Sequence, residues 1–351
     1  MFIPDIRSDC KFAPIAIPVF DRPHHFKACI ESIKKNAGVD RTVLYVSSDG
    51  PKCDESRLLV QQVRDYIRAI HGFKEVVAFT PAENTRKQIW FETLRKVAED
   101  NERYIVTEDD NIFSPYFLEF INDGLEAFAD EPNVAAICGY NFPDFPFQKP
   151  EAIALRCFAG WGYGTWREKD LLSKVEIQTQ AVASEVFADK KLFAVINTAF
   201  PHMAPMMRSA FEGNLIAGDV TVCSLLFKQN KVCIFPSRSL VRNMGHDGSG
   251  EHCGISDEFS SQSILMERIS FEQLPSIEPL EMHTKWLSEY FGGRWAEIRN
   301  WTVFWEMNLR SPLQRKLFRS TISVIAFPLR AIGYLYRCLK QSQARWRCRN
   351  V

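Results

Sequence analysis

The sequence predicts an α/β fold, in which a mostly parallel sheet carries helices on both faces and a helical basic tail follows. Short apolar runs alternate with amphipathic stretches over the first 140 residues, which is the pattern typical of βαβ units. Polar clusters follow three of the predicted strands, at the sheet edge where ligands bind in such folds. From Arg310 to Val351 there are ten basic residues and no acidic one.

The elements of the first half follow from apolar runs for strands and one-sided apolar spacing for helices. Pro23 directly follows the first strand, and proline favours the first position of a helix. The predicted strands are Ala13–Phe20, Thr42–Asp49, Glu75–Thr80, Arg103–Asp110 and Val134–Tyr140. The predicted helices between them are Pro23 to about Asn36, a stretch after Asp49, about Ala82 to Glu99, and Ser114–Phe128.

The second half is less regular. It contains the aromatic and glycine run GWGYGTW (Gly160–Trp166), a predicted helix Asp219–Gln229, a short strand KVCIFPS and a glycine-rich loop at 243–250. We expect one large unit over residues 1–254, with halves at about 13–140 and 141–254. A helical extension at 255–309 and a basic amphipathic tail at 310–351 follow it.

Composition excludes several classes of protein. Hydrophobic residues make up 46% and charged residues 25%, which is typical of a globular protein and not of a disordered or fibrous one. The ten cysteines show no CxxC spacing, so we expect free thiols and neither a zinc site nor a disulfide framework. Asp5 and the lack of an apolar run before Ala13 predict neither a signal peptide nor a membrane anchor.

Three adjacent acids, Glu108, Asp109 and Asp110, end the fourth predicted strand. Grouped carboxylates repel one another unless a cation compensates them. Mg²⁺ or Mn²⁺ prefers such oxygen ligands and commonly bridges them to phosphates. The functional interpretation is a site for a metal and a diphosphate, and the alternative is a solvated acidic loop.

The order PVFDRPHHFKACIESI, YVSSDG, VTEDDNIFSPYF and GWGYGTW resembles glycosyltransferases of the GT-A (Rossmann-like) fold. More narrowly it resembles the N-acetylglucosaminyltransferase I type and bacterial family 2 sugar transferases, over roughly residues 13 to 250. The resemblance implies that Asp21 and Arg22 meet the nucleotide and that Asp49 binds the uracil of a UDP-sugar. It also implies that Glu108, Asp109 and Asp110 form the DXD-type motif, with Asp110 holding Mn²⁺ or Mg²⁺.

An inverting sugar transfer needs a carboxylate that takes the proton of the acceptor hydroxyl. Asp219, at the start of a predicted helix, matches the segment in which this family places that base. Gly218 precedes it, where the family commonly has a tryptophan. The alternatives are that Asp219 only caps its helix, or that Glu212 or Asp247 is the base.

Two aromatic groups are further candidates. Trp161 in the GWGYGTW run is predicted to contact the donor sugar, because aromatic faces pack on the apolar faces of sugar rings. For Trp166, sugar contact and a core position remain equally open. His246 in the glycine-rich loop is a candidate metal ligand, and the alternative is an inert surface histidine.

The basic tail contrasts with the rest of the chain. The 309 residues before it carry 33 basic and 43 acidic side chains, a net charge of −10. Its longest charge-free run, Ser320–Leu329, is too short to span a bilayer. Mixed apolar and cationic residues predict a helix lying on an anionic membrane surface. An acidic body does not fit nucleic-acid binding, and a helix packed on the large unit is the remaining alternative.

Together these features predict a metal-dependent glycosyltransferase with a nucleotide-sugar donor, most simply a UDP-sugar, and a glycan or lipid-linked acceptor. We expect an inverting enzyme of surface polysaccharide or lipopolysaccharide synthesis, cytoplasmic and peripherally associated with the inner membrane. Two other classes share these features. A nucleotidyltransferase that makes sugar nucleotides normally has a glycine-rich loop where this chain reads FDRPHH, and a membrane-bound carbohydrate-binding scaffold would keep the fold without catalysis.

Overall fold

The computed structural model describes residues 12–146, 149–171, 175–214, 218–250, 254–309, 311 and 313–319. In this part of the chain a sheet of eight strands has the order β3-β2-β1-β4-β8-β6-β9-β7. Its strands are β1 Ile15–Val19, β2 Val43–Ser48, β3 Glu75–Phe79, β4 Arg103–Val106, β6 Val134–Cys138, β7 Ala152–Leu155, β8 Tyr163–Trp166 and β9 Val232–Pro236. Strands β7 and β8 run antiparallel to their neighbours and the other six share one direction.

Helices connect and cover these strands. They are α1 Pro23–Ile33, α2 Asp54–Ala69, α3 Gln88–Asp100, α4 Phe117–Ala127, α5 Val175–Ala188, α6 Lys190–Ala199, α7 Met203–Phe211, α8 Gly218–Lys228, α9 Glu281–Tyr290 and α10 Gly293–Met307. Helices α1 and α2 contact each other, while α3 contacts β1, β2 and β4. Because β3 leads back across the sheet to β4, a right-handed crossover places α3 on the opposite face from α1 and α2. The α/β class and the mostly parallel sheet expected from the sequence are confirmed.

Helix α3 begins six residues later than the sequence pattern indicates. The chain at 82–87 forms a loop in which Arg86 and Lys87 have φ angles of 52° and 74°. Residues with side chains rarely adopt this left-handed conformation, so the loop needs an external support. The Asp49 carboxylate provides it by accepting hydrogen bonds from the backbone N–H groups of Thr85 and Lys87.

A small antiparallel pair joins two distant parts of the chain. Strand β5, Asn111–Phe113, directly follows the three acids, and β10, Val241–Asn243, directly precedes the glycine-rich loop. The two strands pair with Asn111 opposite Asn243. The acidic turn and the glycine-rich loop are therefore held side by side, although the paired residues Asn111 and Asn243 are 132 positions apart in the sequence.

The extension after residue 254 packs on the helices of the second half. Phe193 of α6 lies 5.2 Å and 4.8 Å, between ring centroids, from Trp301 and Phe304 of α10. The Asn300 side chain donates to Asn197 Oδ1 at 2.8 Å. Among the described residues no helix is long and apolar enough to cross a membrane. The basic tail from residue 320 onward lies outside the described residues.

The six cysteines in the described residues are free, and all but Cys53 are buried. Cys10, Cys253, Cys338 and Cys348 lie outside the described residues.

Candidate functional site

Three neighbouring parallel strands end at the same edge of the sheet. Strand β1 lies between β2 and β4, and adjacent strands are about 4.8 Å apart. Asp21, Asp49 and Glu108 each follow one of these strands within two residues. The topology therefore brings the first three predicted clusters to one edge, as the sequence indicates.

Arg22 links the end of β1 to the acids after β4. Its guanidinium forms an ion pair with the Asp109 carboxylate and lies 2.8 Å, Nη1 to Oδ2, from Asp110. Both carboxylates are buried, with 4% and 5% of their residue surface exposed. Burial lowers the pKa of Arg22, but the charges of Asp109 and Asp110 outweigh it and raise that pKa above its usual value. Arg22 is thus a fixed positive charge against the acidic turn.

A hydrogen-bond network joins Asp110 to the glycine-rich loop. Asn243 Nδ2 donates to Asp110 Oδ1 at 2.7 Å, and the Met244 N–H donates to the Asp110 backbone oxygen at 2.8 Å. A Cβ atom at Gly245 would collide with the Asp110 carboxylate. The loop can approach Asp110 this closely only because residue 245 is glycine.

The same asparagine orients His246. Asn243 Oδ1 accepts from the Gly245 N–H at 2.9 Å and lies 3.2 Å from His246 Nδ1. Because the Asn243 oxygen can only accept, the proton of the neutral imidazole is assigned to Nδ1. The lone pair of Nε2 is then available, which is the arrangement that a histidine ligand needs.

Asp219 lies in the first turn of α8 and faces the GWGYGTW run. The Gly160 N–H donates to its carboxylate, and a Cβ atom on Gly160 would lie 3.1 Å from Asp219 Oδ1. Solvent reaches Asp219, although protein surrounds it on most sides, as at the bottom of an open recess. Burial in this recess raises the pKa of Asp219 to about 6.

Glu108 occupies the same recess. It is also open to solvent, so protein does not enclose it completely. Its recessed position and the negative charges of Asp110, Asp219 and Asp109 raise its pKa above the ordinary value. Burial likewise raises the pKa of Asp109 to about 6, although Arg22 acts in the opposite direction. One guanidinium therefore does not balance the four carboxylates of this recess.

Aromatic rings form another wall of the site. Trp161 is half-buried, and its ring centroid lies 4.7 Å from Tyr140 and 5.7 Å from His246. Phe259 lies against both, 5.1 Å from Trp161 and 4.5 Å from His246. Trp161 is therefore beside the candidate metal ligand, and its contact with the donor sugar stays a prediction.

Trp166 belongs to the core. It exposes only 8% of its surface, donates its indole N–H to the Leu125 backbone oxygen at 3.2 Å, and carries Lys169 over its ring. Of the two interpretations that the sequence leaves open for Trp166, the structure supports the core position.

Asp49 and Asp21 lie at the same edge but differ in their contacts. The Asp49 carboxylate accepts bonds from Gly50 N–H, Thr85 N–H and Thr85 Oγ1, and from Lys87 N–H. These bonds hold the 82–87 loop. The Asp21 carboxylate is half-buried and forms no hydrogen bond within the part of the chain that the structure describes. Whether either group meets a nucleotide remains a prediction.

The two alternative bases are engaged in other contacts. Glu212 accepts a hydrogen bond from Arg319 at 2.6 Å, at the C-terminal end of α7. Asp247 is exposed and lies 3.0 Å from His25 Nε2, so it ties the glycine-rich loop to α1. Hydrogen bonds from Ser249 and His25 hold the pKa of Asp247 well below its usual value, which makes it a poor proton acceptor.

The acidic turn contains residue types that bind divalent cations. In the described part of the chain the carboxylate oxygens outnumber the Arg22 guanidinium, and hydrogen bonds through Asn243 link His246 to Asp110. Hard cations take such oxygen and imidazole ligands. Within the described ranges, no group of three or more His, Cys, Asp or Glu side chains is placed so that it could hold a metal ion, so the acidic turn supplies suitable types of ligand and not a finished metal site.

A separate cavity of about 490 Å³ lies at the other end of α8. Leu155, Arg156, Phe200, Phe227 and Leu287 are among its lining residues. No predicted site residue lines it. The acidic recess is the better candidate site, because it brings together titratable groups with shifted pKa values.

Several residues of the site were not found from the sequence. Asn243 and Gly245 connect Asp110 to His246, Phe259 comes from the extension, and His25 contacts Asp247. Of these, only Gly245 carried a sequence signal, its place in a glycine-rich loop. The others depend on contacts between distant segments.

No family model and no curated protein match this chain. The similar solved structures include S. aureus TarS, 11% identical over 47% of this chain and 29% of TarS, with a TM-score of 0.30. This chain therefore aligns with less than a third of that TarS chain. A TarS 1–349 structure in complex with UDP-GlcNAc is 9% identical over 84% of this chain and 70% of that one, with a TM-score of 0.35.

A mannosyltransferase from Pyrobaculum calidifontis, in complex with GDP-Man and Mn²⁺, is 12% identical. It covers 50% of this chain and 52% of its own, with a TM-score of 0.32.

Proposed function

We propose that this protein is a metal-dependent glycosyltransferase of the GT-A type that uses a nucleotide-sugar donor. The observation that carries the proposal is the single recess that joins Glu108, Asp110, Asp219, Trp161 and His246. A general base, an acidic cation site and an aromatic wall are groups that such a transfer can use. These residues come from four separate segments of the chain, and the sheet topology and the β5–β10 pair bring them together.

The donor lies at the carboxyl edge of the sheet. Asp110 and His246 would hold Mn²⁺ or Mg²⁺, and Glu108 and Asp109 would complete the acidic turn. Asp21, Arg22 and Asp49 meet the nucleotide, which the resemblance makes a uridine diphosphate. The cation, when bound, neutralises negative charge on the departing diphosphate.

Asp219 takes the proton from the acceptor hydroxyl as the hydroxyl oxygen attacks the anomeric carbon. A bond forms between that oxygen and the carbon, and the bond from the carbon to the diphosphate oxygen breaks. The bonding electrons leave with the nucleoside diphosphate, and the configuration at the anomeric carbon is inverted. A pKa of about 6 leaves Asp219 ionised at neutral pH and still basic enough to share the proton in the transition state.

The acceptor is a glycan or a lipid-linked sugar. It enters from the half at about 141–254, which supplies Asp219 and Trp161, whereas the half at about 13–140 supplies the acidic turn. The basic tail at 310–351 associates with an anionic membrane surface, which suits a lipid-linked acceptor. We place the enzyme in the cytoplasm at the inner membrane, in surface polysaccharide or lipopolysaccharide synthesis.

Thermal unfolding with a panel of UDP-, GDP- and CMP-sugars, with and without Mn²⁺, tests this proposal. A ligand present at about a hundred times its Kd stabilises the folded state by about 2.7 kcal/mol. We expect one donor class to raise the melting temperature only with Mn²⁺. Asp110→Asn removes that shift, whereas the control Asp54→Asn, on an exposed side chain of α2, keeps it.

The proposal fails if no nucleotide sugar gives a metal-dependent shift, or if Asp110→Asn retains it. A shift with a nucleoside triphosphate and a sugar phosphate, but with no nucleotide sugar, would indicate a nucleotidyltransferase. A carbohydrate-dependent shift without any nucleotide dependence would indicate a binding scaffold.

A further inference from the structure

Helix α10 carries large apolar side chains on the side that faces away from the protein. Trp295, Ile298 and Trp305 expose 84%, 52% and 52% of their surface. They are spaced by three and seven residues, so they form one stripe along the helix. The opposite side packs inward, with its buried residues at Asn300, Val303, Phe304 and Met307.

A surface helix normally pairs one apolar face with one polar face. Helix α10 carries apolar side chains on both its inward and its outward face, which is the pattern of a helix that is covered on both sides. Two exposed tryptophans in one stripe are also unlike the scattered single apolar residues of an ordinary surface. The outward stripe is therefore a contact surface.

The charges around this stripe are positive. Arg294 and Arg299 are exposed next to Trp295 and Ile298, and Lys190 lies 5.6 Å from the centroid of the Trp305 ring. The two acidic residues of α10 are engaged within the protein. Glu297 accepts from Thr198 at 2.9 Å, and Glu306 is buried and accepts from Arg319.

The same pattern continues past α10. The helical segment 313–319 is held to the protein through Arg315, which donates to the Leu309 backbone oxygen, and through Arg319, which donates to Glu306. Leu313 and Leu317, one turn apart, expose 66% and 60% of their surface. The chain then continues into 32 further residues whose charged side chains are all basic.

We infer that the outward stripe of α10, Trp295, Ile298 and Trp305, docks on the interfacial zone of an anionic lipid bilayer. Tryptophan is the residue that favours the boundary between headgroups and acyl chains, and flanking cations favour anionic headgroups. A helix that lies in the membrane plane combines these two features. The inference adds a second contact to the one proposed for the tail, and it does not depend on the sugar-transfer reaction.

Co-sedimentation of the full-length protein with vesicles tests the inference. The vesicles contain equal parts of phosphatidylglycerol and phosphatidylcholine. The double variant Trp295→Ser, Trp305→Ser is compared with the wild type and with Leu58→Ser, whose side chain on α2 is likewise exposed, at 67%. We expect the double variant to lose about tenfold or more in partitioning, while Leu58→Ser binds like the wild type. All three keep the same circular dichroism spectrum and melting temperature without vesicles, since the exposed side chains contribute little to folding.

A third variant separates this surface from the tail. It carries three substitutions in the tail, Arg345→Gln, Arg347→Gln and Arg349→Gln. They weaken the attraction of the tail to anionic lipid and leave α10 unchanged. If this variant alone loses binding, the stripe of α10 is not a membrane contact, although the tail proposal survives. The inference is also wrong if the wild type does not sediment with vesicles. It is equally wrong if the wild type is a dimer that Trp295→Ser, Trp305→Ser converts to a monomer, because a second copy then covers the stripe.

Discussion

Four carboxylates and one guanidinium share the recess, and this imbalance controls its chemistry. Arg22 pairs with Asp109 and Asp110, yet burial still raises the pKa of Asp109 to about 6. Among the described residues no cation pairs with Asp219, and its pKa is also raised to about 6. A divalent cation at the acidic turn would relieve the repulsion and favour the ionised forms. Proton and metal binding are therefore expected to compete in this site.

Asp219→Asn tests the base at the residue scale. The carboxylate must be ionised to accept a proton, so the transfer rate of the wild type should rise with pH through about 6, the pKa of Asp219. Removing a general base typically lowers the rate by about 10² to 10⁴. We expect Asp219→Asn to show that loss of rate and no rise of the rate with pH. The donor should still raise its melting temperature in the presence of the metal. Glu212→Gln, at the end of α7, is the control. If Asp219→Asn transfers sugar at more than a tenth of the wild-type rate, Asp219 is not the general base.

The same raised pKa has a consequence for stability. The folded-state pKa of Asp219, about 6, is above its ordinary value of 3.8. The folded state therefore binds more protons than the unfolded state between about pH 4 and pH 6, and stability falls as pH rises through that window. The melting temperature of Asp219→Asn relative to the wild type should increase across this range. Solvent reaches Asp219, so the effect is smaller than for an enclosed carboxyl.

At the scale of elements, the β5–β10 pair fixes the glycine-rich loop against the acidic turn. We expect Gly245→Ala to disrupt this contact, because its Cβ would displace the Asp110 carboxylate. Forcing a methyl group into a packed site costs about 1–3 kcal/mol, and the metal-dependent donor shift should be lost with it. Gly254→Ala is the matched control, since no atom of the described residues lies within 4 Å of its added Cβ. Equal melting temperatures for the two variants would show that the loop does not press on Asp110.

The loop at 82–87 gives a second prediction at this scale. The left-handed conformations of Arg86 and Lys87 are supported by Asp49. Asp49→Ala should release the loop, and trypsin should then cleave after Arg86 or Lys87 about tenfold faster, because proteases act on segments that open locally. Asp54→Ala, on the exposed surface of α2, should cleave like the wild type. An unchanged cleavage pattern in Asp49→Ala would contradict the role of this carboxylate in supporting the loop.

The sequence predicts these elements only where their signal is local. Strands β1, β2, β3, β4 and β6 are apolar runs with clear boundaries, and Pro23 marks the start of α1, so the sheet edge with the three acids could be predicted. Strands β7 and β10 are three or four residues long and depend on partners far along the chain. The delayed start of α3 has the same origin, because a single carboxylate 33 residues earlier overrides the helical pattern from Ala82.

The functional residues likewise divide into those with a local sequence signal and those that depend on distant contacts. Glu108, Asp110 and Asp219 stand next to strand and helix ends, so residue type and position identify them. Asn243 acts only because β10 pairs with β5, and Phe259 acts only because the extension folds back over Trp161. No periodicity encodes these contacts, since they depend on tertiary packing.

At the scale of the whole molecule, charge is segregated between an acidic body and a basic C-terminus. The net charge of residues 1–309 is −10, and the ten cations of the last 42 residues balance it. An anionic membrane would attract the C-terminus and repel most of the body. The charge distribution therefore favours one orientation, with the C-terminal region and the outward side of α10 toward the lipid.

Salt dependence tests this orientation. Exposed charges are screened over about 10 Å at 0.1 M salt and only about 3 Å at 1 M, so attraction between the tail and anionic lipid weakens as salt rises. We expect binding of the full-length protein to phosphatidylglycerol vesicles to fall steeply between about 0.1 M and about 0.5 M NaCl. A residual, salt-resistant fraction should remain, because burial of Trp295 and Trp305 is apolar and is not screened. Trp295→Ser, Trp305→Ser should remove that fraction, whereas binding that is equally strong at both salt concentrations in the wild type would contradict an electrostatic role for the tail.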